Sequence, residues 1–221
     1  MGKNPHLIQA TGGNTSIKDG DMLWVKASGK NLSNALVEEI FVQLELSEVI
    51  RESKNDGSES KLQPLLGSPL RPSIETSLHA LMPQKVVLHS HSIDVIVLTL
   101  VPDAQARIKE CLQGIKWHWI PYCRPGRPLA NAISAVLEQG AFDVLILENH
   151  GLVVGGQSPE AAMDLQSEVI RRLKQPSRPN ARHINLPKLM AMTKHISGAR
   201  LPIAPIIHSL ATDRWSFELT Q

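Results

Sequence analysis

Two short apolar runs, Val86-Val87-Leu88 and Val144-Leu145-Ile146-Leu147, limit the architectures open to this chain more than any other feature. Each is short and aliphatic and reads as a buried strand. The first ends in His89-Ser90-His91-Ser92, the second in Glu148-Asn149-His150-Gly151. Side chains alternate faces along a strand, so His89 and His91 project from the same side. If the two strands are neighbours in one sheet, three imidazoles converge. Three histidines with one open position make a catalytic zinc site rather than a closed structural one. Neutral imidazole also suits Mn, Co or Fe, so ligand type leaves the metal open. The spacing alone serves equally well for hydrogen-bonded core histidines, and other motifs bear on the choice.

Helical patterns alternate with these strands. Pro72-Ser73 predicts a helix start, with Ser73 as N-cap and Ile74, Leu78 and Leu81 on one face. Pro83 ends it. Ser92 and Asp103 read as caps of two further helices, the second closed by Gly114. Leu129 to Gln139 reads as another, and Ser158-Pro159-Glu160 starts a last one. Ser16-Ile17 and Met22–Val25 read as a hairpin with Asp19-Gly20 as its turn signal. Phe41 to Leu46 and Lys116 to Ile120 read as strands. Ser47 is expected to cap a short helix, Arg51 to Lys61 to be an exposed loop, and Pro121 to Pro128 a rigid loop. Beyond Lys174 the chain changes character. Leu201-Pro202-Ile203-Ala204-Pro205 is too rich in proline for a central strand, whereas Trp215 to Leu219 alternates like one.

At 221 residues with 42% hydrophobic content the chain suits one α/β domain, or one domain plus an appendage. Net charge is +2, from 23 basic and 21 acidic residues, which makes no electrostatic case for nucleic acid or a membrane surface. No apolar run reaches the ~20 residues of a membrane helix, and the N-terminus lacks a signal-peptide core. A cytoplasmic protein is the expectation. The two cysteines, Cys111 and Cys123, make no disulfide framework. Cys111 is expected in a helix as a small core residue.

Beyond the histidines, three constellations carry chemistry. Glu75 and His79 share a helix face at i, i+4, the spacing of an ordinary surface pair. Yet this helix runs straight into the histidine strand, where a carboxylate reaches the metal or a bound substrate's proton. Burial would raise the pKa of Glu75, whereas a metal and a helix N-terminus would lower it, and the balance is open. Gly13-Asn14-Thr15-Ser16, Ser28-Gly29-Lys30 and Ser73 form small-residue turns whose backbone N–H groups suit an anion, although each also serves as hairpin or capping chemistry. Tyr122, the single tyrosine, sits in a proline-rigid loop and is either a proton donor or a half-buried interface residue.

In order, Gly13-Asn14-x-Ser16, Ser28-Gly29, Ser73-x-Glu75-x-x-x-His79, His89-x-His91, Pro121-Tyr122 and Asn149-His150-Gly151 resemble the ordered motifs of the class II aldolase/adducin family, as found in L-fuculose-phosphate and L-rhamnulose-phosphate aldolases. The resemblance implies a three-layer α/β/α fold around a mainly antiparallel sheet, over a domain of residues 1–173. It leaves 174–221 as a linker and C-terminal extension. The residues before Gly12 are few where relatives carry a helix, which implies a truncated start. Also implied is a divalent metal, usually Zn²⁺, on His89, His91 and His150, with Glu75 as general acid/base. Asn14, Ser28, Gly29 and Ser73 would hold a substrate phosphate, and Tyr122 would reach a neighbouring subunit's site in a cyclic homotetramer. The implied reaction is cleavage of a C–C bond in a ketose phosphate through a metal-stabilised enediolate. Ser73-Ile74 departs from the Ser-Ser of the fuculose-type aldolases, which removes one phosphate hydroxyl. Epimerase, decarboxylase and dehydratase chemistry on the same scaffold, or a non-catalytic adducin-like module, are the alternatives. Glu75 favours aldolase over epimerase, whose pattern carries Asp there, and the retained histidines disfavour the non-catalytic module.

Overall fold

A turn begins the sheet. In the computed structural model, which describes residues 1–54, 62–175 and 191, β1 (Asn14–Asp19) and β2 (Met22–Lys26) pair antiparallel with Asp19 opposite Met22. The loop is therefore Gly20-Asp21, one residue beyond the expected dipeptide. Gly20 takes a φ of +55°, which a two-residue hairpin loop needs at its first position. The remaining strands are β3 (Phe41–Glu45), β4 (Val86–Ser90), β5 (Trp117–Ile120), β6 (Val144–Leu147) and β7 (Gly151–Gly156). The helices are α1 (Leu46–Lys54), α2 (Thr76–Leu81), α3 (Ile93–Thr99), α4 (Ala104–Cys111), α5 (Arg127–Leu137) and α6 (Pro159–Leu173).

The seven strands form one sheet in the order β3-β2-β1-β4-β7-β6-β5. Only β5 and β6 pair in parallel, because α5 carries the chain back between them. The β4–β7 ladder is the seam at which strands from the first half of the chain meet those from the second. This corrects one expectation: β4 and β6 are not neighbours, since β7 lies between them.

Period-two alternation divides the core into two layers. Leu145 and Leu147 of β6 and Val153 of β7 pack with Leu78, Met82, Leu129 and Ile133 of the α2–α5 layer. Val144, Ile146, Leu152 and Val154 face the other way, onto Val95, Leu98, Ile108 and Val169 of the α3, α4 and α6 layer. A strand covered on both faces must be apolar at every position, which is why β6 reads as an unbroken run. Leu23 and Val25 of β2 pack with Val42, Leu44 and Val49 beneath α1. The fold is the expected three-layer α/β/α with a mainly antiparallel sheet.

Several local expectations are corrected. Helix α2 starts at Thr76, with Ser73 outside it and Ile74 exposed, because the Ser73 hydroxyl accepts the Glu75 N–H in a turn of its own. Ser47 lies inside α1, where its hydroxyl donates to the Glu45 carboxylate. Arg51–Lys54 complete that helix, and Arg127 and Pro128 begin α5. Cys111 is exposed at the end of α4, whose core contacts are made by Ala104 and Ile108. No helix among the described residues is long and apolar enough to cross a membrane. Residues Met1–Gln175 pack as one unit. The expectations for Leu201–Pro205 and Trp215–Leu219 lie outside the described residues.

Candidate metal centre

Cross-strand register assembles the site. Asn14 of β1 sits opposite His89 of β4, and Ser16 opposite Val87. These residues therefore share the sheet face that α2 covers. His91 follows β4 immediately, its N–H donating to the Leu7 carbonyl at 2.9 Å. His150 arrives from the β6–β7 turn, where Asn149 adopts φ +53°. The rings of His89, His91 and His150 lie 4.9–5.2 Å apart between centroids. One nitrogen from each falls within 4.8 Å of the others, so the structure brings the predicted trio together.

The chemistry of the donors fits a cation. His89 Nδ1 faces the Leu152 carbonyl at 3.2 Å. A carbonyl only accepts, so Nδ1 carries the proton and Nε2 offers a lone pair inward, the usual outer support of a metal-bound histidine. That Nε2, the Nε2 of His91 and Oε1 of Glu75 are buried and have no hydrogen-bond partner among the described residues. Glu75 is 7% exposed, with Oε2 at 3.4 Å from His89 Nε2 and Oε1 at 3.2 Å from His150 Nε2. Burial lowers His89, and burial together with His89 and His150 lowers His91 to about 4, so both rings stay neutral near pH 7. Burial alone would raise Glu75. His89, His150 and the Asn14 amide outweigh it and hold the carboxyl well below its usual range. An ionised carboxylate among neutral, inward-facing nitrogens calls for a positive charge between them, which a divalent ion supplies.

The other predicted residues divide. Asn14 is 3% exposed and its amide donates to Glu75 Oε2 at 2.9 Å and to Ser73 Oγ at 3.2 Å. The backbone bridge between Ala27 and Pro72 sets the Ser28-Gly29 turn beside Ser73. Ser28 and Ser73 line a cleft of about 680 Å³ with Arg71 and Arg127. Both acceptor positions of Ser73 Oγ are occupied, by the Asn14 amide and the Glu75 N–H, which leaves its hydrogen for a cleft ligand. Gly29 adopts φ +73° in its turn. Tyr122 is 59% exposed; its backbone N–H donates to Glu148 at 3.0 Å, and no described hydrogen bond ties its hydroxyl to the histidines. A second groove, of about 550 Å³, lies on the opposite sheet face against Ile17, Trp24 and Leu88 and is apolar.

Two residues have roles that the sequence does not announce. His79 is wholly buried, not a surface partner of Glu75, and bonds to Asn14 Oδ1 and, at 2.8 Å, to Ser16 Oγ. Lys26 is 2% exposed and its ammonium donates to the carbonyls of Thr11, Ala27 and Lys30 at 2.8–3.3 Å. It ties the Gly12-Gly13 turn to the Ser28-Gly29 turn. A lysine closing an otherwise apolar strand was the one available signal.

Comparison with known proteins agrees with this geometry. A family model described as the class II aldolase and adducin N-terminal domain matches residues 3–175. The uncharacterized oxidoreductase YuxG of Bacillus subtilis (strain 168) is 31% identical over 192 residues, covering 79% of this chain. The chain spans only 28% of that protein's length. Methylthioribulose-1-phosphate dehydratase of Citrobacter koseri is 28% identical over 173 residues, covering 69% of this chain and 77% of the relative. The solved N-terminal class II aldolase domain of a conserved Thermoplasma acidophilum protein superposes with a TM-score of 0.67 at 28% identity, covering 78% of this chain and 86% of that one. With its sheet order, its histidine trio and a family match over most of its length, the chain belongs to the class II aldolase and adducin N-terminal domain family.

Proposed function

We propose that this chain is a divalent-metal-dependent aldolase that cleaves a carbon–carbon bond of a ketose, a sugar phosphate by preference, with zinc as its ion. The observation that carries the reading is the set of buried, unpartnered, inward-facing atoms: Nε2 of His89, Nε2 of His91 and Oε1 of Glu75. His89, His91 and His150 would hold the ion. When bound, it supplies Lewis acidity at the substrate carbonyl.

Glu75 carries the proton. As the bond breaks, its electron pair stays with the carbon next to the carbonyl, and that carbon needs one proton to become the released ketone. The hydroxyl at the far end of the bond gives up one proton as it becomes an aldehyde, so the count balances. Glu75 has one oxygen held by Asn14 and the other free of hydrogen bonds, which suits a proton carrier at a fixed position. Tyr122 would serve the aldehyde oxygen in a neighbouring subunit of a tetramer. Ser28, Gly29 and Ser73 would take the phosphate in the cleft, helped by Arg71 and Arg127. A second reading, loss of water from a thioribulose-phosphate-type substrate, is favoured by the dehydratase relative and uses the same carboxylate.

A panel of ketose 1-phosphates incubated with the zinc-loaded chain separates these. Release of dihydroxyacetone phosphate supports cleavage, and a dicarbonyl product supports dehydration. Glu75→Gln should lower turnover by about 10²–10⁴-fold with the metal retained. Unchanged turnover in that variant sinks the assignment of the base, and a chain that takes up no zinc sinks the site.

A further inference from the structure

We infer that His79 is a positioning residue that orients Glu75 through Asn14. The inference rests on the reading of Glu75 as the proton carrier. Four side chains form a continuous hydrogen-bonded line: Ser16, His79, Asn14 and Glu75. Asn14 and Ser16 come from β1, His79 from α2 and Glu75 from the residue before it, and Asn14, Ser16 and His79 are at most 4% exposed.

The direction of every link follows from chemistry. An ionised carboxylate only accepts, so the amide of Asn14 must present Nδ2 to Glu75 Oε2, at 2.9 Å. The second Nδ2 hydrogen goes to Ser73 Oγ at 3.2 Å. Oδ1 is then the atom that faces His79 Nε2. An amide oxygen also only accepts, so Nε2 must carry a hydrogen. Burial lowers His79 to about 3, so the ring is neutral and its Nδ1 is bare. Nδ1 accepts from the Ser16 hydroxyl at 2.8 Å. Reversing any link would set two donors or two acceptors against each other in a buried space, at a cost of about 1–3 kcal/mol per orphaned group.

The function of the line is to make the two carboxylate oxygens unequal. An asparagine amide turned end for end would aim its oxygen at Glu75 and repel it. His79 Nε2–H prevents that turn. Oε2 is pinned, and Oε1 is left without a hydrogen bond beside His150.

Two measurements on the full-length, zinc-loaded chain test this. The first needs no substrate: long-range ¹H–¹⁵N correlation of the histidine rings should show His79 as the neutral Nε2–H tautomer, with its Nε2–H signal shifted in Asn14→Ala. An Nδ1–H tautomer or an imidazolium overturns the proposal, whatever reaction the protein performs. The second uses the ketose phosphate found active. His79→Phe should lower kcat by about 10²-fold with little change in KM. His79→Gln, whose amide can still donate, should recover most of that loss. Adding Asn14→Ala to His79→Phe should cost no more than Asn14→Ala alone. An unchanged kcat in His79→Phe overturns it.

Discussion

Replacing Gly151 with alanine should cost both stability and metal affinity, and the structure says by how much. A Cβ at Gly151 would stand 2.3 Å from the Ser90 carbonyl oxygen, 3.2 Å from its carbon and 3.3 Å from His91 Cα. All three are backbone atoms, so no rotamer change relieves the contact. The two segments must separate by about 1 Å in a densely packed interior. Ser90 precedes one ligand and Gly151 follows another, so this movement parts His91 from His150. Metal–ligand distances tolerate only about ±0.2 Å, and a 1 Å misplacement costs on the order of 10²-fold. Zinc affinity should therefore fall about a hundredfold or more. Overpacking of this kind should also remove about 3 kcal/mol from the metal-free protein. Gly20→Ala is the control: φ is +55° there and no atom of the described residues lies within 4 Å, so only the torsion is penalised, by about 1–2 kcal/mol. Urea midpoints of the apo proteins and a chelator-competition titration read both quantities. If Gly151→Ala is no less stable than Gly20→Ala and binds zinc like the parent, the close approach is not what holds the ligands together.

Burial lowers Lys18 to about 8, and its ammonium donates to the carbonyls of Met82 and Gln84. Between about pH 8 and 10.5 the unfolded chain holds this proton and the folded chain does not, so stability should rise by about 3 kcal/mol across that window. Lys18→Met should flatten that slope in unfolding measured against pH, and an unaltered slope would assign it to another group. Lys26→Met strips the donor from the carbonyls of Thr11, Ala27 and Lys30 and should destabilise by about 2–3 kcal/mol, read from the denaturant midpoint. A variant as stable as the parent would mean those carbonyls are satisfied in another way.

What was legible in the sequence, and what was not, follows from how far each signal reaches. The alternation around Asp19-Gly20 and the unbroken aliphatic run of β6 are local, and both elements formed. The histidine trio was legible because strand periodicity fixes the side from which His89 and His91 project, whatever lies beside them. Strand order was not legible. A four-residue apolar run looks the same beside β4 as one strand further away, and the insertion of β7 follows from the tight β6–β7 turn at His150. Ser73 has the residue type of an N-cap, but its hydroxyl is taken by the Glu75 N–H before the helix begins. His79 and Lys26 were misread or passed over for one reason. Their burial is made possible by partners distant in sequence, such as Asn14, Ser16 and the Thr11 carbonyl. Cys111 shows the converse: a residue type that favours interiors stands exposed because the buried stripe of α4 runs through Ala104, Ile108 and Leu112, and Cys111 lies beside it.

The β4–β7 ladder has a consequence for how the molecule holds together. The histidine trio sits where β4 ends, with His89 and His91 on one side of the ladder and His150 on the other. An ion bound there acts as a clasp on the end of that joint, closing a loop of some sixty residues. Because the three ligands converge only on folding, such an ion would favour the folded state, and its free concentration would set part of the stability through mass action. Amide exchange at Leu152 and Val153, beside that end, should slow on addition of zinc, while amides at the far end of β7 stay as they were. Zinc limitation would then open the joint between the two halves of the sheet before it disturbed either half.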